Sequence, residues 1–496
     1  VDLTKTKSVD DILAVNAEPD ETDDQQGEAG ETGRLKKSLG ALDLMGFGIG
    51  IVIGTGIFTL TGVAAKDFAG PAVMLSFALA GIVSLLAALC YAELSSSVPT
   101  AGSAYTYAYA TIGEVFAWII GWDLVLEFSL GAAVVARGWS GYVASLSDKV
   151  PTSLFGESAP INVGAVMIVL VLGLVAWVGI RESKWVTNTL VVIKVLVCLF
   201  VIFVGAFYVK TANWHPFIPP SEPGSDSGGL TQPLWQMLTG TSPSIYGMAG
   251  VLSAAAVVFF SYTGFEAVAN LGEETKKPSR DLPIGLLGTL LICTLLYVGV
   301  AGVLTGMVDF HDLDEGAPIS EAFKTVGLGW AANLISIAAI AGLTSVILVD
   351  IVTMPRIGFA MARDRLLPPR LAKLHPRFGT PTLMTAITVA FVAVLAALVP
   401  LDKLAEMVSI GTLFAFAIVS LAVPILRRTS PDLKRPFRTP LSPVLPIVSA
   451  ILCVALMANL AVDTWIRFGV WLALGLVIYF AYGVRRSRVQ QEASEG

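Results

Sequence analysis

Apolar residues in this chain come in long runs. They neither alternate, as in a half-buried strand, nor recur every three or four positions, as on a surface helix. Twelve runs match or approach the roughly 20 residues a helix needs to cross a hydrocarbon layer: 40–65, 71–96, 112–142, 161–180, 185–208, 247–271, 282–307, 327–361, 381–399, 403–426, 442–462 and 466–484. The connections between them are mostly short and polar. One is long, 209–246; it contains Trp214-His215-Pro216-Phe217 with several Pro and Gly, and is expected to cap the outer surface. The pattern predicts an all-α integral membrane protein with twelve transmembrane helices.

Two runs are flawed as helices. Gly46, Gly48, Gly50, Gly54 and Gly56 crowd the first, each weakening a helix by about 1 kcal/mol relative to alanine. The sixth reads Val257-Val258-Phe259-Phe260-Ser261-Tyr262-Thr263-Gly264-Phe265-Glu266, with a polar interruption near its middle. In lipid every backbone group needs a partner, so helices 1 and 6 are predicted to be discontinuous where freed backbone binds something. Breaks at matching positions are the mark of two facing repeats around a central site; Ser261, Tyr262 and Thr263 would otherwise serve helix packing. The half-helix after Thr55 would present N–H groups and a positive dipole end to a carboxylate. Carbonyls near 51–53 and 260–263 would accept from an ammonium. Ile53, Thr55, Gly56, Ile57, Phe260, Ser261 and Thr263 are therefore candidate substrate-binding residues, and a zwitterionic amino acid suits them.

Composition agrees: the chain is 55% hydrophobic and 14% charged, against about 25% charged in a soluble domain. The net charge of −6 arises in residues 1–33, where ten acids face Lys5 and Lys7. This tail is expected to be solvated and is not expected to act as a signal peptide; Ser8–Leu13 either docks as an amphipathic turn or is disordered. With the N-terminus inside, basic residues in the connections divide 22 inside to six outside, which predicts cytoplasmic termini. The expected organisation is an acidic tail (1–33), helices 1–5 (34–208), an extracellular loop (209–246), helices 6–10 (247–426), helices 11 and 12 (427–484) and a cytoplasmic tail (485–496). Cys90, Cys198, Cys293 and Cys453 lie in apolar runs and are expected to be buried thiols. No metal-ligand spacing, cofactor motif or basic nucleic-acid patch is present in the sequence, and no metal or cofactor is expected.

Ionisable residues inside the runs cost at least about 2.5–3.5 kcal/mol on insertion scales, so each is a functional candidate. Lys194 lies about ten residues, or roughly 15 Å, into the fifth run, with no acid within four positions. A lysine at that depth can exchange its proton; the alternative is a fixed structural charge. Glu127 lies near the middle of the third run with Asp123 one turn earlier. Glu266 follows the second break, and Asp350 lies in the eighth run.

Several motifs resemble the amino acid–polyamine–organocation superfamily: Gly54-Thr55-Gly56-Ile57-Phe58, Phe68-Ala69-Gly70-Pro71-Ala72, Glu273-Glu274-Thr275-Lys276-Lys277-Pro278-Ser279-Arg280-Asp281-Leu282-Pro283, and Arg435-Pro436-Phe437-Arg438-Thr439-Pro440. Gly121-Trp122-Asp123-Leu124-Val125-Leu126-Glu127 and Met361-Ala362-Arg363-Asp364-Arg365-Leu366-Leu367-Pro368 are similar to its bacterial cationic amino acid transporter branch. The resemblance spans roughly 34–485. It implies a 5+5 inverted repeat, the fold first seen in a sodium-coupled leucine transporter, followed by two C-terminal helices. It implies that the Lys194 ammonium replaces a sodium ion between helix 1 and the hydroxyls of Thr344 and Ser345, coupling transport to H⁺. It places Glu127 at the substrate side-chain end, Phe260 as an aromatic gate, and Glu266 as a gating acid linking the unwound segment to its neighbours. Asp350 departs from the branch, which has an apolar residue there. By helical angle it lies opposite the Thr344/Ser345 face, with Val349 nearer; both are kept as candidates.

The expected activity is import of amino acids, foremost cationic ones such as arginine, lysine or ornithine, by proton symport with alternating access across the cell membrane. A cation gains about 2.3 kcal/mol per 100 mV of inside-negative potential. The expected partners are the amino acid, H⁺ and the bilayer, with the chain a monomer. Alternatives are a neutral amino acid symporter, for example of alanine, and a proton-independent amino acid/polyamine exchanger. An enzyme is not expected, since no nucleophile–base set is visible, nor a receptor, since no soluble output domain is visible.

Overall fold

The computed structural model describes residues 39–98, 103–147, 149–157, 159–179, 184–223, 229–242, 244–375 and 379–487. The acidic tail 1–33, the Ser8–Leu13 turn and residues 488–496 of the C-terminal tail lie outside them.

The described chain is helical almost throughout. The principal helices are α1 (Ala41–Val52), α2 (Val73–Ser97), α3 (Glu114–Ser145), α4 (Val163–Val178), α5 (Lys184–Gly205), α6 (Gly247–Val258), α7 (Pro278–Met307), α8 (Gly329–Arg363), α9 (Thr382–Leu398), α10 (Leu401–Thr429), α11 (Val444–Met457) and α12 (Val462–Ile478). Among the described residues, eight helical stretches are long and apolar enough to cross a membrane. Four shorter ones, Ala41–Val52, Val163–Val178, Thr382–Leu398 and Val444–Met457, are apolar as well. The outside of the bundle is greasy: Leu174, Phe203, Leu295, Val394, Ile451 and Val477 are all exposed. So much apolar surface is unfavourable in water and suits a lipid surround.

The junction of the last two helices differs from the sequence expectation. The eleventh helix ends at Met457, and the twelfth begins at Val462 rather than 466. Asp463 occupies the first turn of α12, where a carboxylate favours the positive end of the helix, and it pairs with Arg467 one turn on. These two charges belong to the helix although they interrupt the apolar run.

α3 and α8 form the centre and pack along each other. Around them, α1 packs on α7 and α5, and α6 packs on α2 and α10. α4 meets α9, and α2 runs beside α7. Glu93 at the end of α2 holds the end of α10 and the following loop: its carboxylate accepts from Arg427 at 2.8 and 2.7 Å and from the Thr439 N–H at 2.7 Å. Cys90, Cys198, Cys293 and Cys453 are buried.

Candidate functional site

α1 stops at Val52. Ile53 follows in an extended conformation, its N–H still donating to Ile49 O at 3.0 Å. Helix resumes at Gly56 with wide turns and continues to residue 69. The first N–H groups of the resumed helix have no carbonyl of their own helix to meet. Opposite, α6 ends at Val258 and tightens to a 3-10 turn over Phe259–Tyr262. Thr263 is then extended, and Gly264 takes φ +96° before a second 3-10 stretch, Phe265–Glu274. The two breaks touch. A Cβ on Gly56 would lie 2.5 Å from Ser261 Cα, and one on Gly264 would lie 2.4 Å from Ile51 Cγ2. Only glycine allows these approaches, and Gly264 also needs its positive φ.

Tyr297 of α7 joins the breaks. Its hydroxyl is 2.6 Å from Val52 O and 2.9 Å from Ser261 O, so one proton serves two carbonyls that the breaks release. Phe260 O accepts from the Thr263 N–H at 3.0 Å and from Thr263 Oγ1 at 2.8 Å. The Phe260 N–H donates to Ser409 Oγ of α10 at 3.1 Å. Part of the freed backbone is thus satisfied by protein, and the rest faces a cavity.

That cavity measures about 40 Å³, room for a few waters. A substrate with a long side chain therefore enters only as the helices shift. Thr55, Gly56, Phe260, Ser261 and Thr263 line it from the breaks. Thr55 Oγ1 and Ser261 Oγ are buried without a hydrogen-bond partner among the described residues, an uncommon state that a polar ligand would relieve. Three carboxyl groups, from Glu127, Glu266 and Asp350, complete the polar lining, and among the described residues no lysine or arginine joins them. Phe128, Val135, Val346 and Val408 supply apolar wall.

A family model described as amino acid permease matches residues 39–481. The chain belongs to the amino acid permease family. With that it belongs to the amino acid–polyamine–organocation superfamily, and it is a multi-pass membrane protein of amino-acid transport. It is 42% identical over 499 residues to the branched-chain amino acid permease of Bacillus subtilis (strain 168), covering 98% of this chain and 99% of that one. It is 42% identical over 462 residues to the methylthioribose transporter of the same organism, covering 91% and 95%. It is 37% identical over 407 residues to the vacuolar cationic amino acid transporter 4 of Arabidopsis thaliana, covering 80% and 64%.

Within the permease the other sequence candidates fall as follows. Ile53 and Ile57 are buried beside the first break but outside the cavity lining. The Glu266 carboxylate accepts from the Gly264 N–H at 3.1 and 3.0 Å, tying the break to itself, and lies against Glu127. The two candidates on α8 part company. Asp350 lines the cavity together with Val346 one turn away, whereas Val349 is half-buried outside it. By helical angle, the Thr344/Ser345 face is the expected inward one. The face turned to the cavity is instead the i, i+4 pair Val346 and Asp350, with Asp350 resting on Gly131 of α3, where a Cβ would lie 3.2 Å from its carboxylate.

Lys194 reaches helix 1. Its Nζ donates to Gly50 O at 2.6 Å, and its stem lies along Gly342 of α8. Thr344 and Ser345 spend their hydroxyls on their own helix, donating to Ile340 O and Gly342 O, both at 2.7 Å. Thr344 Oγ1 also accepts from Trp139 Nε1 at 3.0 Å. The lysine therefore bridges α1 to α8, but no hydrogen bond joins it to either hydroxyl among the described residues. Tyr297, Ser409 and Trp139 escaped the sequence reading. The one signal for Tyr297 was a phenol in an apolar helix, which needs a partner when buried.

Proposed function

We propose that this permease imports cationic amino acids by proton symport with alternating access. The observation that carries the substrate class is the trio of carboxyl groups around the cavity, unopposed by any lining cation. The substrate carboxylate meets the N–H groups that open the resumed helix at Thr55–Ile57. Its α-ammonium meets the remaining free carbonyls, and its side-chain cation lies among Glu127 and Asp350, a charge-assisted arrangement. Phe260 closes over it. Glu266 holds the second break in register during closure. Lys194 supplies the coupling proton: charged, it ties Gly50 to α8; neutral, it loosens that tie and lets helix 1 swing.

The fold reading goes with this one: twelve spans, five plus five plus two, in one copy, with both termini cytoplasmic in a cell membrane. The packing supports a repeat. Exchanging each of helices 1–5 with its counterpart in 6–10 turns the pair α1–α7 into α6–α2, α1–α5 into α6–α10, and α3–α9 into α8–α4; each pair and its image are in contact. Five helices being an odd number, the second repeat starts on the opposite side of the bilayer.

A neutral-substrate reading has its own support in the apolar wall and in the 42% identity to a branched-chain permease. Uptake of radiolabelled arginine and leucine into proteoliposomes, with an inward proton gradient imposed or collapsed, decides between them. Arginine accumulation that vanishes with the gradient fits the proposal. Leucine accumulation that arginine does not compete for contradicts the substrate class, and accumulation indifferent to the gradient contradicts the coupling.

A further inference from the structure

Asp123 is not explained by substrate binding. It lies on α3 one turn from Glu127, on the side of the Glu114 end. It is fully buried, and neither carboxylate oxygen has a hydrogen-bond partner among the described residues. Space is made for it: Gly411 of α10 stands where a Cβ would lie 2.6 Å from Asp123 Oδ1. The next residue on α10, Thr412, has its hydroxyl beside Glu127. α10 thus passes both acids in turn.

The groups facing Asp123 are few. Among the described residues, Glu127 comes from α3 itself, Gly411 from α10 and Tyr91 from α2; Thr412 stands beside Glu127, and Tyr107 of the short helix Ser103–Thr111 packs against Tyr91. Glu266, from the stretch after the second break, lies within electrostatic reach of the same Tyr91. Tyr107 OH is also buried without a partner. No lysine or arginine acts on Asp123 among the described residues. A structural carboxylate would have a cation or a set of donors; this one has neither. Two residues nearer the Glu114 end, Gly121 packs against Tyr105, whose hydroxyl donates to the half-buried Asp364 at 2.7 Å.

The acids continue in the other direction. Glu127 lies against Glu266, Glu266 acts on Asp350, and Asp350 lies within reach of Lys194. We infer that Asp123 is a proton-relay residue on the cytoplasmic side of the substrate site, carrying the coupling proton from Glu127 toward Asp364. The proton leaves a Glu127 carboxyl, passes through the Thr412 hydroxyl or an intervening water, and protonates the Asp123 carboxylate. Asp123 then gives it to water at the Asp364 end and returns to carboxylate. No charge accumulates. Acids in series of this kind are what a membrane interior uses to move protons.

This inference rests on the proton-symport reading, and the test separates the two. Wild type and Asp123→Asn are compared in proteoliposomes by substrate-induced thermal shift, by counterflow exchange at equal pH, and by accumulation under an inward proton gradient. The expected result is unchanged thermal shift and exchange, with loss of accumulation above the equilibrium level. If Asp123→Asn is not monodisperse, Asp123→Ser, smaller and neutral, takes its place with the same expected split, and Asp123→Glu restores accumulation. Wild-type accumulation and pH profile in the neutral variant would overturn the relay alone. Equal loss of exchange and accumulation would make Asp123 structural and overturn it too. Absence of gradient-driven accumulation in the wild type would instead overturn the symport reading, and the relay with it.

Discussion

At the scale of single residues, the site divides between groups that hold the breaks together and groups that the proposed function assigns to the ligand. Tyr297 and Ser409 belong to the first set; Thr55, Ser261, Glu127 and Asp350 belong to the second. In the proposed reading, cation selectivity turns on Asp350. A charge-assisted bond contributes about 1.5–3 kcal/mol, so Asp350→Val is expected to raise the arginine KM about tenfold or more while leucine transport is kept or improved. Parallel uptake curves for the two substrates check this. Lys194 gives a different signature. Lys194→Ala removes the titratable α1–α8 tie at every pH, so uptake is expected to lose its response to external pH while exchange persists. Uptake measured at several external pH values at constant membrane potential reads that directly.

At the scale of the helix, the long apolar runs were legible because lipid admits one solution for an exposed backbone. The breaks were legible for the converse reason: glycines at Gly54, Gly56 and Gly264 have no use in an uninterrupted span. What could not be read were features that exist only once helices meet. The carbonyls bonded by Tyr297 become available only after both breaks form, and nothing local to α7 announces them. Hydroxyl residues do not mark the cavity face of α8: Thr344 and Ser345 are satisfied within their own helix, whereas Asp350 lines the cavity. The start of α12 was missed because Asp463 and Arg467 look like loop charges until paired across a helical turn. Tyr297→Phe tests the element-scale account. Leaving two buried carbonyls without their donor costs about 1–3 kcal/mol. A lower melting temperature and weaker substrate-induced thermal shift are expected, in contrast to the near-neutral effect of losing a phenol that packs only through its ring.

At the scale of the molecule, the greasy exterior, the central α3–α8 pair and the helix contacts fit the proposed reading of two five-helix sets that rock about a midplane site. Its orientation can be measured independently of transport. The four native cysteines are buried and give little background to a thiol reagent. Glu315, between α7 and α8, and the exposed Lys434, between α10 and α11, fall on opposite faces in the proposed topology. In intact cells a membrane-impermeant maleimide is expected to label Glu315→Cys and to spare Lys434→Cys until the cells are opened; the reverse pattern would invert the topology. The account as a whole stands on two facing breaks gripping one amino acid. A cryo-electron microscopy map of the permease with arginine tests that most directly. The account expects the arginine carboxylate within ~3 Å of the N–H groups at Thr55–Ile57 and the guanidinium between Glu127 and Asp350. Arginine seated away from both breaks, or α1 and α6 passing through the bilayer unbroken, would contradict it.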